Sequence, residues 1–377
     1  MKTGHYFKDA GPDRRALAQC VADIARDAAE QMRLRNLEAA QAVVIPQEAS
    51  ASEQLEFQWV DHFAMRLCDF RALEQAVKAS SEKGADNQTV ASFFSDLMEH
   101  PVERALSRPP TKDALAGLAV RFPNFKVVVD FLLQRAALAW LTPQSPLLLP
   151  PMVLNGPPGI GKTAFATALA EVLAVPLLTL QLAHATASFD MSGLDAKYAG
   201  GGPGLLVRTV ALGPVVDPLV LLDELDKVTP NRSSDPLGPL YSLLEPSSAA
   251  VFRDDGIKLP LNLQHVRWIC TTNEIELLNA AIRSRCQVFE IRRPSFEESC
   301  AIARQMYARL VQAHPWGRHF PSDLPDSVTT LLATNTPREL SRALQNALGT
   351  AVLAGRRHLV PADFPTPEAL HRGPGFF

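Results

Sequence analysis

Short apolar runs alternate with longer helix-like segments through the middle of the chain. Strands are predicted at residues 175–182, 219–223, 266–272 and 287–292, and the run LLLPPMVLN leads into a glycine-rich loop. Strands that alternate with helices predict a parallel sheet flanked by helices. The expected fold class is therefore α/β, and polar residues that follow the strand ends should lie where ligands of open α/β sheets bind.

The two ends of the chain are predicted to be helical. Residues 13–42 contain no Gly or Pro, and residues 52–79 read as a second helix after the breaker IPQEA. This second helix would carry Leu55, Trp59, Phe63 and Leu67 on one apolar stripe. Such a stripe is ordinarily a packing face, and a partner-binding groove is the alternative.

Helices are also predicted after Pro294, at 295–314, 323–334 and 337–355. Pro109 and Pro110 form a stiff junction that is hard to include in a helix, which predicts a linker. The prolines and helix breaks divide the chain into a helical N-terminal domain at 1–110, an α/β core at 111–294 and a helical C-terminal domain at 295–377.

Composition narrows the class of protein. The chain has 377 residues, 47% hydrophobic and 20% charged, which excludes a largely disordered protein. No run of about eighteen apolar residues offers a membrane span. The start MKTGHYFKDAGPDRR lacks the apolar core of a signal peptide, which predicts a cytoplasmic location. The five cysteines show no C-x-x-C spacing, so neither a zinc site nor a disulfide framework is predicted.

The run GPPGIGKT has the strand, loop and helix context of a phosphate-binding loop. Glycines in such a loop let backbone N–H groups approach an anion closely. A lysine at the loop's end reaches the β- and γ-phosphates, and the hydroxyl after it binds magnesium. The sequence therefore predicts that a nucleoside triphosphate is held by Gly156, Pro157, Pro158, Gly159, Ile160, Gly161, Lys162 and Thr163, with Mg²⁺ on Thr163.

The run PLVLLDELDK ends in an acidic pair that turns binding into predicted hydrolysis. Asp223 would hold the magnesium through water. Glu224 would polarise the attacking water, because a general base must be a carboxylate within one hydrogen bond of it. The simpler reading is a buried strand that runs into an acidic turn.

Three further signals follow in the chain, each weak alone because an exposed arginine is usually only solvated. Asn273, after VRWICTTN, could orient the attacking water or sense the γ-phosphate. Arg283 and Arg285 precede a strand, and Arg338 lies early in a predicted helix.

The order of these signals resembles the AAA+ ATPase module. That module has a phosphate loop, an acidic pair, a sensor-one Asn, a trans-acting arginine finger and a sensor-two Arg in a helical lid. The stretches GLDAKYAGGGPGLL and DPLGPLYSLLEPSSAAVFRDDGIKLPLNLQHVRWICTTN resemble the Lon protease ATPase domain. The likeness covers about residues 120–350.

The resemblance implies a homo-oligomeric ring, of hexameric form, that uses ATP to remodel a protein partner. Asn273 would act as sensor one, Arg338 would close the lid, and a neighbouring subunit would supply Arg285, with Arg283 as the other candidate finger. The resemblance places Tyr198 on a substrate-gripping pore loop, and a buried structural tyrosine is the alternative.

Two departures keep other functions open. Lon carries a C-terminal Ser-Lys protease domain, whereas this sequence ends at Phe377, so no proteolysis is expected from it. A nucleotide-dependent assembly switch that recruits an effector is one alternative function. The triplet SRC around Arg285 resembles clamp-loader ATPases, but a net charge of −3 gives no global attraction to nucleic acid.

Overall fold

The computed structural model describes residues 64–82, 88–142, 145–181, 187–198, 200–228 and 235–364. The predicted helix at 13–42 lies outside the described residues, and so do Leu55, Trp59 and Phe63 of the predicted stripe. In the described part of the chain, no helix is both long and apolar enough to cross a membrane.

Helices of the described residues are, in chain order, α1 Phe70–Glu82, α2 Gln88–Met98, α3 Lys112–Arg121, α4 Lys126–Trp140, α5 Lys162–Leu173, α6 Ala187–Ser192, α7 Leu205–Leu212, α8 Leu240–Leu243, α9 Pro246–Ala249, α10 Ala280–Arg283, α11 Phe296–Ala313, α12 Asp326–Leu332 and α13 Pro337–Leu353. The strands are β1 Ala64–Arg66, β2 Glu103–Ala105, β3 Met152–Asn155, β4 Leu177–Gln181, β5 Leu219–Asp223, β6 Phe252–Arg253, β7 Pro260–Leu261, β8 Arg267–Thr272 and β9 Gln287–Glu290.

Five of the strands form one sheet in the spatial order β4, β5, β8, β3, β9. Strand β3 runs parallel to β8 and β9, with Asn155 opposite Thr272 on one side and Glu290 on the other. Every residue of β3 and β8 is buried, as expected for strands covered on both faces. The predicted α/β fold with a parallel sheet flanked by helices is confirmed. Each of the four predicted strands is present, with ends that differ by no more than two residues.

The predicted helix at 52–79 is wrong at its described N-terminal part. Residues Ala64–Arg66 form β1, which pairs antiparallel with β2, and the backbone N–H of Leu67 donates to Val102 O at 2.9 Å. Helix α1 begins only after Asp69, whose side chain accepts from the N–H of Ala72 at 3.0 Å. The apolar stripe misled the prediction because it includes Leu67. This residue is buried beside the β1–β2 pair and does not lie on a helix.

The chain divides into two compact units. The first comprises Met1–Arg108, Val175–Val220 and Val228–Arg267, and the second comprises Pro109–Ala174, Leu221–Lys227 and Trp268–Phe377.

A buried ion pair lies in the first unit. The Arg267 guanidinium donates to the Asp217 carboxylate at 2.8 Å, and both side chains are at most 3% exposed. Ser107 donates to the same carboxylate through its backbone N–H and its hydroxyl, at 3.0 and 2.9 Å. Burying charges is costly unless they are paired and hydrogen-bonded, and these contacts offset that cost.

The C-terminal helices of the second unit pack into one apolar cluster. Their predicted segments are confirmed as α11, α12 and α13. Ser295 with Glu298 and Thr336 with Glu339 form capping boxes that begin α11 and α13. Each box satisfies backbone N–H groups that a helix start leaves open, which sets where the two long helices begin.

Asp254 is a second buried carboxylate of the first unit. It accepts from the backbone N–H groups of Gly204, Gly256 and Ile257 at 2.8, 2.8 and 3.2 Å. A Cβ at Gly193, where φ is +75°, would meet an Asp254 oxygen at 2.3 Å. Only glycine therefore allows this close approach. Burial raises the pKa of Asp254 to about 6, although the three N–H groups oppose that shift.

This raised pKa predicts how stability depends on pH. The native carboxyl keeps its proton to a higher pH than an unfolded aspartate, whose pKa is about 3.9. Its contribution to stability is therefore full below about pH 4 and is lost as pH rises through about 6. We expect the free energy of unfolding to fall by about 2–3 kcal/mol across this window from this group.

Urea unfolding between pH 4 and pH 7 measures the effect. Asp254→Asn should lack this decline, whatever its absolute stability. Asp130→Asn is the control, since it removes a carboxylate from the surface pair with Lys126. An unchanged slope in Asp254→Asn would contradict the assignment.

Candidate functional site

Polar residues from three neighbouring strands meet at one edge of the sheet. Strand β8 lies between β5 and β3 in the sheet, and Asn155 at the end of β3 pairs with Thr272 at the end of β8. Asn273 therefore follows β8 beside the loop that begins at Gly156. Asp223 closes β5 on the other side of Asn273. The carboxyl ends of parallel strands are where open α/β sheets bind ligands.

The loop from Gly156 to Thr163 joins β3 to α5, as predicted. Gly159 and Gly161 have φ values of +80° and +103°, which residues with a Cβ rarely adopt. A Cβ at Gly156 would lie 2.3 Å from the carbonyl oxygen of Ile291. The loop therefore needs glycine where it turns and where it packs. Pro158 and Ile160 line the cavity beside the loop, and Pro157 accepts from the lysine described next.

Lys162 is buried and its ammonium group is folded back on the loop. Its Nζ donates to the carbonyl oxygens of Gly156 and Pro157, at 2.5 and 3.0 Å, and to Asn273 Oδ1 at 2.9 Å. Burial lowers the pKa of Lys162, the nearby carboxylates of Asp226, Asp223 and Glu224 raise it, and Arg338 lowers it. The contact with Asn273 brings together two predicted site residues that are far apart in the sequence.

Thr163 and Asp223 lie side by side, where they could hold a metal ion. Thr163 Oγ1 is 3.3 Å from each Asp223 carboxylate oxygen. Hydroxyl and carboxylate oxygens are ligands that magnesium accepts, usually with water and phosphate oxygens in the remaining positions. Among the described residues, no group of three or more His, Cys, Asp and Glu side chains could hold a metal. Thr163 and Asp223 thus offer oxygens of the kind that a magnesium ion takes as ligands.

Glu224 has an unusual backbone for its residue type. Its φ is +56°, and its N–H donates to Thr271 Oγ1 at 2.9 Å. The same hydroxyl donates to Asp223 Oδ1 at 2.5 Å. Left-handed backbone at a non-glycine residue costs about 1 kcal/mol or more and is concentrated at functional sites. The Glu224 side chain lines the cavity and accepts from Lys227 Nζ at 2.6 Å.

The predicted arginines separate into two groups. Arg338, at the start of α13, is exposed and lines the same cavity as the phosphate loop. Arg283 and Arg285 are not among the residues that line it. Arg285 donates to Ala281 O at 2.6 Å, on the short helix α10. Arg338 therefore can reach a ligand of its own chain, whereas the other two do not face that cavity.

The cavity lies within the second unit and has a volume of about 740 Å³. Its lining includes the polar residues Lys162, Thr163 and Asp223. Residues before β3 and from the C-terminal helices line it as well: the apolar Phe122, Ile302, Met306 and Leu344, the amides Asn124 and Gln305, and the arginines Arg121 and Arg309.

Sequence reasoning missed two side chains that position the site. Thr271 bridges Asp223 and Glu224, as described above. Asp226 Oδ2 accepts from the backbone N–H of Asn273 at 3.1 Å. Asp226 belongs to the DELDK run, so its charge was a usable signal. A threonine within a buried strand gives no such signal, because its role depends on which strand lies beside it.

Tyr198 lies in the first unit, on a loop with a narrow base. Leu194 and Gly202 form a two-residue antiparallel bridge, and Lys258 Nζ pairs with Asp195 Oδ2 at 2.8 Å. The Tyr198 side chain is 55% exposed, and Lys197 Nζ lies 5.1 Å from the centre of its ring. The described part of the loop thus presents the tyrosine outward within its own unit.

Comparison with known families agrees with this geometry. Residues 152–293 match the family described as "ATPase family associated with various cellular activities (AAA)". The match begins at β3 and ends after β9, so it contains the phosphate loop, the acidic pair and Asn273.

Similar curated proteins are Lon proteases. The peroxisomal Lon protease homolog 2 of Pichia angusta is 32% identical over 43% of this chain and 18% of that protein. The mitochondrial Lon protease homolog of Drosophila melanogaster is 34% identical over 41% of this chain and 15% of that protein. The Lon protease of Flavobacterium johnsoniae is 29% identical over 47% of this chain and 22% of that protein. The chain thus spans between 15% and 22% of the length of these three relatives.

Solved structures show a weaker likeness. A point mutant of RuvB from Thermotoga maritima matches with 17% identity and a TM-score of 0.42, over 62% of this chain and 67% of that one.

Proposed function

We propose that the AAA ATPase domain formed by residues 152–293, which is similar to the ATPase module of Lon proteases, binds and hydrolyses ATP. The observation that carries this proposal is that Lys162, Thr163, Asp223 and Asn273 line a single cavity, with Lys162 in contact with Asn273 and Thr163 beside Asp223. A triphosphate is the ligand that matches this set, because it offers oxygens both to an ammonium and to a bound cation.

Each residue of the site has a proposed role. The backbone N–H groups of the loop and the Lys162 ammonium bind the β- and γ-phosphates. Thr163 and Asp223 would hold magnesium, which neutralises phosphate charge when bound. Glu224 takes the proton of the attacking water, and Asn273 orients that water or contacts the γ-phosphate. Lys227 donates to the Glu224 carboxylate in the structure, and catalytic hydrogen bonds often form only with substrate present.

We further propose that the protein works as a homo-oligomeric ring, a hexamer, that remodels a protein partner in the manner of a chaperone. The similarity to Lon ATPase modules supports this assembly. Arg338 then closes the lid, residues 295–377, over the nucleotide of its own subunit. Arg285 acts on the nucleotide of a neighbouring subunit, which agrees with its position off the cavity of its own chain. No role is proposed for residues 1–110, whose described residues up to 108 belong to the first unit together with residues 175–220 and 228–267.

Two alternatives differ in what hydrolysis accomplishes. An assembly switch would recruit an effector in the ATP state without threading it. A clamp-loader-like protein would act on nucleic acid. Against the second, one arginine in each of the two short basic clusters, Arg292-Arg293 and Arg356-Arg357-His358, is paired with a carboxylate: Arg292 donates to Glu298 at 2.5 and 2.6 Å, and Arg356 donates to Asp363 at 2.8 Å. Paired arginines offer little charge to phosphates.

The first prediction from the proposed function concerns Glu224. Glu224→Gln should bind ATP as the wild type does but should lose turnover, because the amide cannot accept the proton of water. Fluorescent-nucleotide titration measures binding and phosphate release measures turnover. Glu276→Gln, an exposed carboxylate outside the cavity, should behave as wild type. Loss of ATP binding in Glu224→Gln would contradict its role as base.

The second prediction tests the shared site. In GTPases an arginine finger contributes about 10³–10⁵ in rate, so Arg285→Ala should nearly abolish hydrolysis while the protein still binds ATP. Mixing Arg285→Ala with Glu224→Gln protomers should restore activity at interfaces that join an intact Glu224 to an intact Arg285. A silent Arg285→Ala, together with loss of hydrolysis in Arg283→Ala, would identify Arg283 as the finger.

The third prediction separates remodelling from the switch. Tyr198→Ala should keep thermal stability, assembly and basal ATP hydrolysis near wild type, since the side chain is exposed in its unit, yet lose partner remodelling. Tyr198→Phe, which keeps the aromatic ring, should retain remodelling. A fall in the thermal midpoint would show a structural tyrosine. Unimpaired remodelling in Tyr198→Ala would favour the assembly switch.

A further inference from the structure

Asn124 is a nearly buried carboxamide on the wall of the nucleotide cavity. It lies in a single 3-10 turn, Pro123–Phe125, and is 5% exposed. It nevertheless lines the cavity, next to Phe122 and Ile160. A buried polar side chain in a largely apolar wall needs hydrogen-bond partners for both its amide nitrogen and its amide oxygen.

The amide nitrogen has its partners in the protein. Nδ2 lies 3.4 Å from the carbonyl oxygen of Ile160, in the phosphate loop, and 3.3 Å from that of Arg292. Carbonyl oxygens only accept hydrogen bonds, so the NH₂ group must face them. This neighbourhood fixes which end of the carboxamide is which, since the flipped amide would set oxygen against two oxygens.

The amide oxygen is left for a ligand. Within the described ranges, no hydrogen bond of the protein reaches Asn124 Oδ1. Asn124 Oδ1 is not among the side-chain atoms that are fully buried without a partner, so it is open to the cavity, where a ligand N–H can donate to it. The site therefore presents a hydrogen-bond acceptor, and no donor, at this point of the wall.

The position of Asn124 matches the base of a nucleotide. Ile160, to which it is tied, lies two residues before Lys162, so Asn124 lies beside the phosphate loop and on the same cavity that a nucleotide on Lys162 would occupy. Phe122, Ile302 and Met306 line this cavity too, and their apolar side chains suit the faces of an aromatic ring. Adenine carries an amine at its six position, which donates, whereas guanine carries an oxygen there, which accepts.

We propose that Asn124 Oδ1 accepts a hydrogen bond from the exocyclic amine of adenine and so selects adenine over guanine nucleotides. This inference rests on the proposed nucleotide-binding function. Gln305 is the other carboxamide that lines the cavity and could contact the base, and its Nε2 donates to Val120 O at 2.8 Å. Gln305 is more exposed than Asn124, so water can satisfy its oxygen and little is lost when a base does not.

The test compares three nucleotides on the full chain with magnesium: ATP, purine riboside triphosphate, which lacks the amine, and GTP. Wild type should bind ATP about three- to tenfold more tightly than the amine-free analogue, the range for one neutral hydrogen bond. GTP should bind more weakly still, because its oxygen faces an acceptor. In Asn124→Leu the ratio between ATP and the analogue should fall to about one. Gln305→Leu, the matched control, should keep the wild-type ratio.

Different failures have different meanings. Wild type that binds ATP and the amine-free analogue equally would overturn the inference alone, even where Asn124→Leu does not fold. Loss of discrimination in Gln305→Leu, with Asn124→Leu unchanged, would also overturn it and would assign the base to Gln305. Wild type that binds none of the three nucleotides would overturn the proposed function itself.

Discussion

The buried ammonium of Lys162 is the group around which the nucleotide site is organised. An ammonium has three donors, and here all three are used by two loop carbonyls and Asn273 Oδ1. A buried charge without such partners would cost several kcal/mol. The loop conformation and the end of β8 are thus held by the same group. A triphosphate that binds Lys162 must replace some of these contacts, which links binding to the position of Asn273.

The second constraint is the hydroxyl of Thr271, which joins the two acids with different proposed tasks. It donates to Asp223 and accepts from the backbone of Glu224. That contact accompanies the left-handed backbone of Glu224, which turns the chain sharply after β5. The turn separates the directions of the two carboxylates, so that Asp223 lies beside Thr163 while Glu224 pairs with Lys227. Backbone strain here is a cost of placing two adjacent acids in different surroundings.

The C-terminal helices come close to the phosphate loop at Gly159. A Cβ at Gly159 would lie 3.3 Å from Thr336 Oγ1, so the glycine leaves room for the residue that caps α13. The capping box of Thr336 and Glu339 fixes where α13 begins, and Arg338 is the second residue of that helix. The charge of Arg338 is close enough to lower the pKa of Lys162. The start of one helix thus sets an arginine near the site of the proposed γ-phosphate.

Features encoded within short windows could be predicted from the sequence: the GPPGIGKT loop, the acids at the end of β5, four strands of the sheet and the C-terminal helices. Apolar period, glycine spacing and capping residues act over a few positions, so no partner segment is needed to recognise them. Four other features could be seen only in the folded chain: the contact of Asn273 with Lys162, the bridge of Thr271 between the acids, the position of Asn124 on the cavity wall, and the strand at Ala64–Arg66. Each of these features depends on which strands lie side by side or on which distant segment covers a residue. A strand needs a partner strand and a buried amide needs hydrogen-bond partners, and both are supplied by residues far away in the sequence.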